Sequence, residues 1–264
     1  MEYALVNGVR VSASAGLQGS CPACGNAVIA RCGKVKVHHW AHQHLPDCDI
    51  WSEPETPWHR AWKARFPEAW QEVPFTDPET GEIHRADVHT PGGVTLEFQH
   101  SPISVTELGS RNAFYKKLVW IVDAQRFQKN FEWRCHIPDP RSPLLDNFSI
   151  IGTGRYSMNV PENLMFFRNP AHDKDWDADR VLSFRDPELA EVKALMQRSG
   201  DLFRLFDWKW QNEAWLNSEA PVFLDFGTDQ LYWLRSRKQH RHPGILYYLQ
   251  VVSRQSFIEK YGGK

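Results

Sequence analysis

Three polar side chains in IHRADVHT, PGG and VTLEFQHS, residues 83–101, have the types and spacing for metal-assisted chemistry. Side chains alternate between the faces of an extended chain, so Glu97 and Gln99 share one face and Leu96 and Phe98 the other. Asp87 precedes the PGG turn and Glu97 follows it, so a hairpin at this turn lets the two carboxylates converge. Converging acids beside a polar group form an oxygen site for a hard divalent cation, which activates water and stabilises charge on a phosphate during in-line displacement. Gln99 then orients the attacking water. Acids alternating with apolar residues also mark solvated sheet faces, and here the flanking residues favour chemistry. Glu55 and His59 stand at a helix start before the hairpin, and Glu107, Arg111 and Tyr115 recur every four residues after it.

A second cluster lies in CPACGNAVIARCGKVKVHHWAHQHLPDC, residues 21–48. Its thiols point to metal rather than disulfides in a reducing compartment. A Cys-x-x-Cys turn offers two thiolates, and two histidines three apart on a helical turn reach one side, matching the tetrahedral N/S preference of zinc. The preferred ligands are Cys21, Cys24, His39 and His42. Cys48 is an alternative to one histidine, and His38 or His44 compete. No position is left for water, so this zinc reads as structural. Cys135 stands apart and reads as a small buried side chain.

These groups need elements to hold them. WSEPETPWHRAWKARFPEAW predicts a helix with Thr56 as N-cap and Pro57 at its first position. Trp58, Trp62 and Phe66 form its buried stripe, His59 and Lys63 lie on an adjacent face, and Pro67 ends it. QEVPF, IHRADVHT and VTLEFQHS predict three strands, SVTELGSRNAFYKK a helix, and the apolar run LVWIVD a strand buried on both faces beside EFQ. FEWRCHIP extends that sheet. Lys63, Arg85 and Arg111 are candidate phosphate contacts or ion-pair partners.

Composition narrows the function classes. The chain has 264 residues, 42% of them hydrophobic, with 12 Trp and 15 Phe, enough for a substantial core. Lys plus Arg number 31 against 32 Asp plus Glu, a formal charge of -1. Any polyanion must therefore be held by a local basic groove or by metal rather than by bulk charge. No apolar run approaches the roughly 20 residues of a membrane span, and MEYALVNGVR lacks signal-peptide order, so the expectation is a cytoplasmic protein without membrane partners.

ETPWHRAWK, HRADV, LEFQHS and the Arg111–Tyr115 helix leading to LVWIVD together resemble the competence protein CoiA-like family, placed among the PD-(D/E)XK nucleases, over about residues 20–125. The CPxC and HxAH elements resemble the zinc-type element of its members. The resemblance implies an α/β (α+β mixed sheet) fold with a PD-(D/E)XK restriction-endonuclease-like core acting on DNA with Mg²⁺ or Mn²⁺. It also implies that Asp87 and Glu97 bind the metal and that Glu55 is the additional acid of the first helix. His59 matches the histidine that follows that acid, and Gln99 stands where the commoner motif has lysine. An amide cannot titrate, so proton removal falls to metal-bound hydroxide, to His59 or to substrate.

The second half says less. PDPRSPLLDN reads as a boundary, DPELAEVKALM as an amphipathic helix, FRLFDWKWQNEAWL as aromatic core, and PVFLDFGTDQLYWL as a hairpin turning at Gly227. GILYYLQVVS reads as a strand, RSRKQHRH as a basic loop and SRQSFIEKYGGK as a capping helix with a frayed tail. The expected organisation is a zinc knuckle at 1–50, a nuclease core at 51–138 and an aromatic-rich α+β region at 139–264, the last a possible protein-binding surface. The expected function is metal-dependent hydrolysis of single- or double-stranded DNA, in competence, recombination or defence against foreign DNA. The rivals are an inactive DNA-binding or adaptor protein of the same fold and an RNA-directed nuclease.

Overall fold

The computed structural model describes residues 1–44, 48–152, 163–169, 180–210, 212–240 and 244–264. The chain divides into two compact units, Met1–Asp123 with Ser218–Pro221 and Arg254–Lys264, and Ala124–Asn217 with Val222–Ser253. The first closes at Asp123 rather than at 138 and recruits two later segments.

The first unit begins with strands β1 (Tyr3–Val6), β2 (Val9–Ser12), β3 (Gln18–Ser20), β4 (Ala27–Arg31) and β5 (His39–His42), an antiparallel sheet ordered β2-β1-β3-β4-β5. Ala4, Val28, Trp40 and Cys21 form its small core. Trp40 is buried and gives its indole N–H to Val11 O at 3.1 Å, so truncating it would cost about 3–5 kcal/mol.

Helix α1 (Pro57–Lys63) starts as its sequence demands, with Thr56 Oγ1 capping the His59 amide and Pro57 at the first position. It ends a turn before Pro67, and Trp62 stacks on Phe98 at 5.5 Å. Strands β6 (Gln71–Thr76), β7 (Ile83–His89) and β8 (Thr95–Gln99) run antiparallel in sequence. Helix α2 (Val105–Tyr115), capped by Ser104, then carries the chain to β9 (Leu118–Asp123), which lies parallel to β8 with Glu97 opposite Trp120 and Gln99 opposite Val122. All of β8 and β9 is buried, as a parallel pair requires.

The second unit holds β10 (Phe131–His136), β11 (Phe148–Gly152), β12 (Leu164–Arg168), β13 (Val181–Leu182), α3 (Ala190–Ser199), β14 (Phe203–Trp208), α4 (Glu213–Leu216), β15 (Val222–Asp225), β16 (Gln230–Lys238) and β17 (Ile245–Ser253). Its larger sheet runs β10-β14-β17-β16-β15, and its smaller sheet β11-β12-β13. FEWRCHIP forms β10, as a strand, and pairs with β14. A core including Ile137, Phe166, Leu189, Phe203 and Tyr248 fills this unit. Cys135 is half-buried rather than buried. The basic run is not wholly a loop, since Arg235–Lys238 continue β16; Arg235 lies over Trp233 at 4.3 Å, and Arg237 holds Pro140 O at 2.8 Å. Residues 241–242 of that run lie outside the described residues. Among the described residues, no helix is long and apolar enough to cross a membrane.

Helix α5 (Arg254–Lys260) belongs to the first unit, where Phe257 meets Trp62 at 6.1 Å. The segment after it is held rather than frayed: Gly263 N donates to Ile258 O at 2.9 Å and Lys264 N to Arg65 O at 2.8 Å.

Candidate active site and metal centre

Strands β7 and β8 pair at Val88 with Leu96 and at His89 with Thr95. Continuing that register sets Asp87 opposite Glu97, and there the backbone ladder gives way to side chains. The Asp87 amide donates to Glu97 Oε1 at 3.3 Å, and the Phe98 amide to Asp87 Oδ2 at 2.8 Å. The hairpin thus brings both carboxylates into one cavity of about 50 Å³, lined also by Glu53, Glu55, His59, Arg85, Gln99 and Arg111. The space suits an ion with a few waters.

Electrostatics in this cavity are set by burial. Burial raises the Glu97 carboxyl well above the usual carboxylate range, and the Asp87 charge adds to it against the pull of Arg111. Asp87 is raised by burial too, opposed by the charges of His59 and Lys63. Two adjacent acids that resist ionising together are a donor set that a divalent cation would relieve. Glu55 Oε2 accepts from Lys63 Nζ at 3.0 Å, while its buried Oε1 has no hydrogen bond among the described residues and lies 4.0 Å from Arg60 Nε.

Of the two roles open to Lys63 and Arg111, phosphate contact or ion-pair partner, the structure shows the second. Lys63, 1% exposed, contacts Glu55 at 3.0 Å, Glu72 at 3.1 Å and Glu2 at 3.2 Å, so it is an internal counter-ion rather than a free phosphate ligand. Arg111 is equally committed: Nη1 lies 3.2 Å from Glu97 Oε2, and Nη2 donates to Trp51 O at 2.7 Å and pairs with Glu107. Arg85 lines the cavity half-buried, its amide on Asp49 Oδ2 at 2.9 Å and its Nη1 3.2 Å from Met1 Sδ.

The sequence reading missed Glu53. Its Oε1 accepts the Gln99 side-chain amide, its Oε2 accepts from Ser101 N at 3.3 Å, and Oε2 lies 3.9 Å from His59 Nε2. Glu53 therefore reaches Gln99 and His59, whereas Glu55 turns to Lys63. Only proximity to Glu55 in WSEPET hinted at it. His100 was missed as well: its Nδ1 is 2.8 Å from Asp123 Oδ2, and its ring centroid is 6.0 Å from that of His59.

In the N-terminal sheet, donor atoms of Cys21, Cys24, His42 and Cys48 lie within 4.8 Å of one another. The Cys21 and Cys48 sulfurs are 3.8 Å apart, and Cys24 Sγ is 3.2 Å from His42 Nε2. A tetrahedron with Zn–S bonds of about 2.3 Å has an edge of roughly 3.8 Å, so three thiols and an imidazole fit a metal such as zinc. Burial, then neighbouring Cys21, pushes the Cys48 thiol up, a cost that a cation among the sulfurs would offset. Gly25, at φ +74°, closes the knuckle by donating its amide to Cys21 O at 2.9 Å.

His39 lies outside this cluster, and Cys48 takes its place. HWAH is a strand, not a helical turn, so residues three apart face opposite sides. His39 instead sets Nδ1 2.9 Å from Val37 O.

Residues 18–51 match the family model of the Competence protein CoiA, N-terminal domain, and this segment contains all four clustered ligands. Comparison with curated proteins and with solved structures gave no match. The acid-lined cavity draws most of its walls from beyond the matched segment. Through residues 18–51 the chain is therefore similar to the CoiA N-terminal domain.

Proposed function

We propose that this competence-related chain is a metal-dependent nuclease that hydrolyses DNA phosphodiester bonds, with a PD-(D/E)XK-like centre in its first unit. The observation that carries the reading is the opened β7–β8 ladder, which sets half-buried Asp87 and buried Glu97 together with Gln99, Glu53 and His59 around one cavity. Mg²⁺ or Mn²⁺, held by Asp87 and Glu97, would supply the Lewis acidity that polarises the phosphate and acidifies water.

The chain's own groups do the rest. Gln99 donates its side-chain amide to Glu53 and to Ser101 O at 3.0 Å, so toward a water it offers the carbonyl oxygen and fixes that water by accepting its hydrogen. His59 is the proton acceptor. Thr56 Oγ1 holds its Nδ1 at 2.8 Å, and its Nε2 lies 3.9 Å from Glu53 Oε2. Arg111 stops Glu97 from swinging out of the site.

Gln99 in place of lysine also supports a second reading, a noncatalytic DNA-binding or adaptor protein that keeps the acids for structure. Incubating the wild type and an Asp87→Ala, Glu97→Ala variant with labelled single-stranded DNA, duplex DNA and RNA, with and without Mg²⁺ or Mn²⁺, separates the two. DNA cleavage that requires the added cation and both acids is expected. Preferential RNA cleavage would reassign the substrate, and DNA binding without cleavage by either protein would favour the adaptor.

A further inference from the structure

The hairpin between β4 and β5 is not accounted for by metal binding. Its sequence RCGKVKVHH, residues 31–39, carries Arg31, Lys34, Lys36, His38 and His39 with no acid, in a chain whose formal charge is -1. Lys34 and Lys36 are exposed, and Val35 between them is 97% exposed.

The hairpin is held at its base. Arg31 pairs with His39 and Ala30 with Trp40 across the two strands, buried Trp40 anchors β5, and His42 at its end belongs to the metal-ligand cluster. Arg60, on the helix that carries His59, donates to His38 O. The lysines therefore project from a fixed frame toward solvent.

Beside this hairpin lies a cavity of about 340 Å³, bounded by Lys36, His39 and Trp40 on one side and by Ser52, Glu53, Pro54 and Glu55 on the other. Ser52, Glu53 and Glu55 also line the cavity that holds Asp87 and Glu97, so the two spaces adjoin. The larger is within the range of small-ligand pockets, roughly 300–1,000 Å³, which admits one nucleotide and not a duplex. His39, which the metal does not need, offers a ring for stacking, and Pro54 opposite gives an apolar face. Lys36 offers a cation for phosphate.

We propose that the Arg31–His39 hairpin and this cavity hold one strand of nucleic acid on its approach to the acid centre, so that the metal-binding sheet forms a wall of the substrate channel. The proposal rests on the nuclease reading for what lies at the end of the channel, but binding can be read without cleavage.

The test is fluorescence anisotropy with a short labelled single-stranded DNA across a salt titration, on full-length protein carrying Asp87→Asn so that nothing is cut. Lys34→Ser with Lys36→Ser should weaken binding about tenfold and reduce the log K against log salt slope by about 1.4, the value for two lost single-strand phosphate contacts. The matched pair Lys129→Ser with Lys193→Ser, exposed and in the second unit, should change affinity less than twofold. Equal bound zinc in both variants shows that the sheet is intact. If the hairpin variant binds like the control while the wild type still cuts DNA, the channel assignment fails and the nuclease reading stands. If the wild type neither binds nor cuts any strand, both fall. Tighter binding of duplex, with the same dependence on the two lysines, would overturn the single-strand assignment.

Discussion

Gln99 and Glu53, 46 residues apart in sequence, are joined by a hydrogen bond from the side-chain amide to the carboxylate at the edge of the acid-lined cavity. This bond dictates what position 99 can do. Replacing Gln99 by Glu sets two carboxylates face to face, removes the fixed acceptor and should lower DNA cleavage on the order of 10²-fold. Replacing it by Lys restores an attraction to Glu53 and should leave cleavage within a few-fold of wild type. Single-turnover cleavage compares the two, and equal rates for Gln99→Glu and wild type would remove Gln99 from the mechanism.

Asp87 and Glu97 make stability depend on pH in a defined direction. Both carboxyls are raised on folding, chiefly by burial. Between the ordinary and the raised values the folded state binds more protons than the unfolded state, so stability falls as pH rises through that window and then levels off. Asp87→Asn keeps an oxygen for the Phe98 amide and removes the charge. Chemical denaturation above the window without divalent cation should show it more stable than wild type, on the order of 1 kcal/mol for each pKa unit of offset relieved. Mn²⁺ affinity of the wild type should rise with pH over the same window. A less stable Asp87→Asn protein would contradict the account.

Local patterns carried the fold of the first unit well. Thr56–Pro57, the PGG turn and the wholly apolar LVWIVD encode capping, reversal and a strand buried on both faces, properties that depend only on near neighbours. The site was legible where it lies on one strand pair, at Asp87, Glu97 and Gln99. Glu53 was hidden because it reaches Gln99 across 46 residues through a segment without regular periodicity. His39 was misassigned because HxAH spacing converges on a helix but diverges on a strand. The two roles open to Lys63, phosphate contact or ion-pair partner, were not separable because its partners Glu2 and Glu72 come from distant segments.

The clustered sulfurs and His42 predict which substitutions release metal. Cys48→Ser should lower bound zinc from near one per chain to near zero and unfold the N-terminal sheet, because ligand binding and folding are coupled there. His39→Ala should keep its zinc. Elemental analysis of the purified variants reads this directly, and zinc loss in His39→Ala with retention in Cys48→Ser would restore the ligand set expected from spacing.

Lys63 distinguishes a structural cation from a substrate ligand. Burial opposes its charge, but Glu72, Glu55, Asp87 and Glu2 outweigh that and raise its pKa, while Lys63 is the main influence holding Glu72 below the usual carboxylate range against burial. The raised lysine contributes stability that is full below its ordinary pKa and is lost only as pH rises through the folded value. The depressed Glu72 contributes stability present above the ordinary carboxylate pKa and lost as pH falls through its folded one. The network is therefore complete across the neutral range. Glu72 is itself held at φ +46° while its oxygens accept the Glu2 and Tyr3 amides at 2.7 and 3.1 Å, so the same carboxylate ties β1 to β6. Lys63→Met would leave these carboxylates buried without their cation and should cost about 3–5 kcal/mol. In a denaturant titration that loss appears without DNA, and any protein that remains folded should keep the wild-type salt slope for DNA binding. A stable Lys63→Met protein whose salt slope had fallen by about 0.7 would instead make Lys63 a contact to single-stranded phosphate.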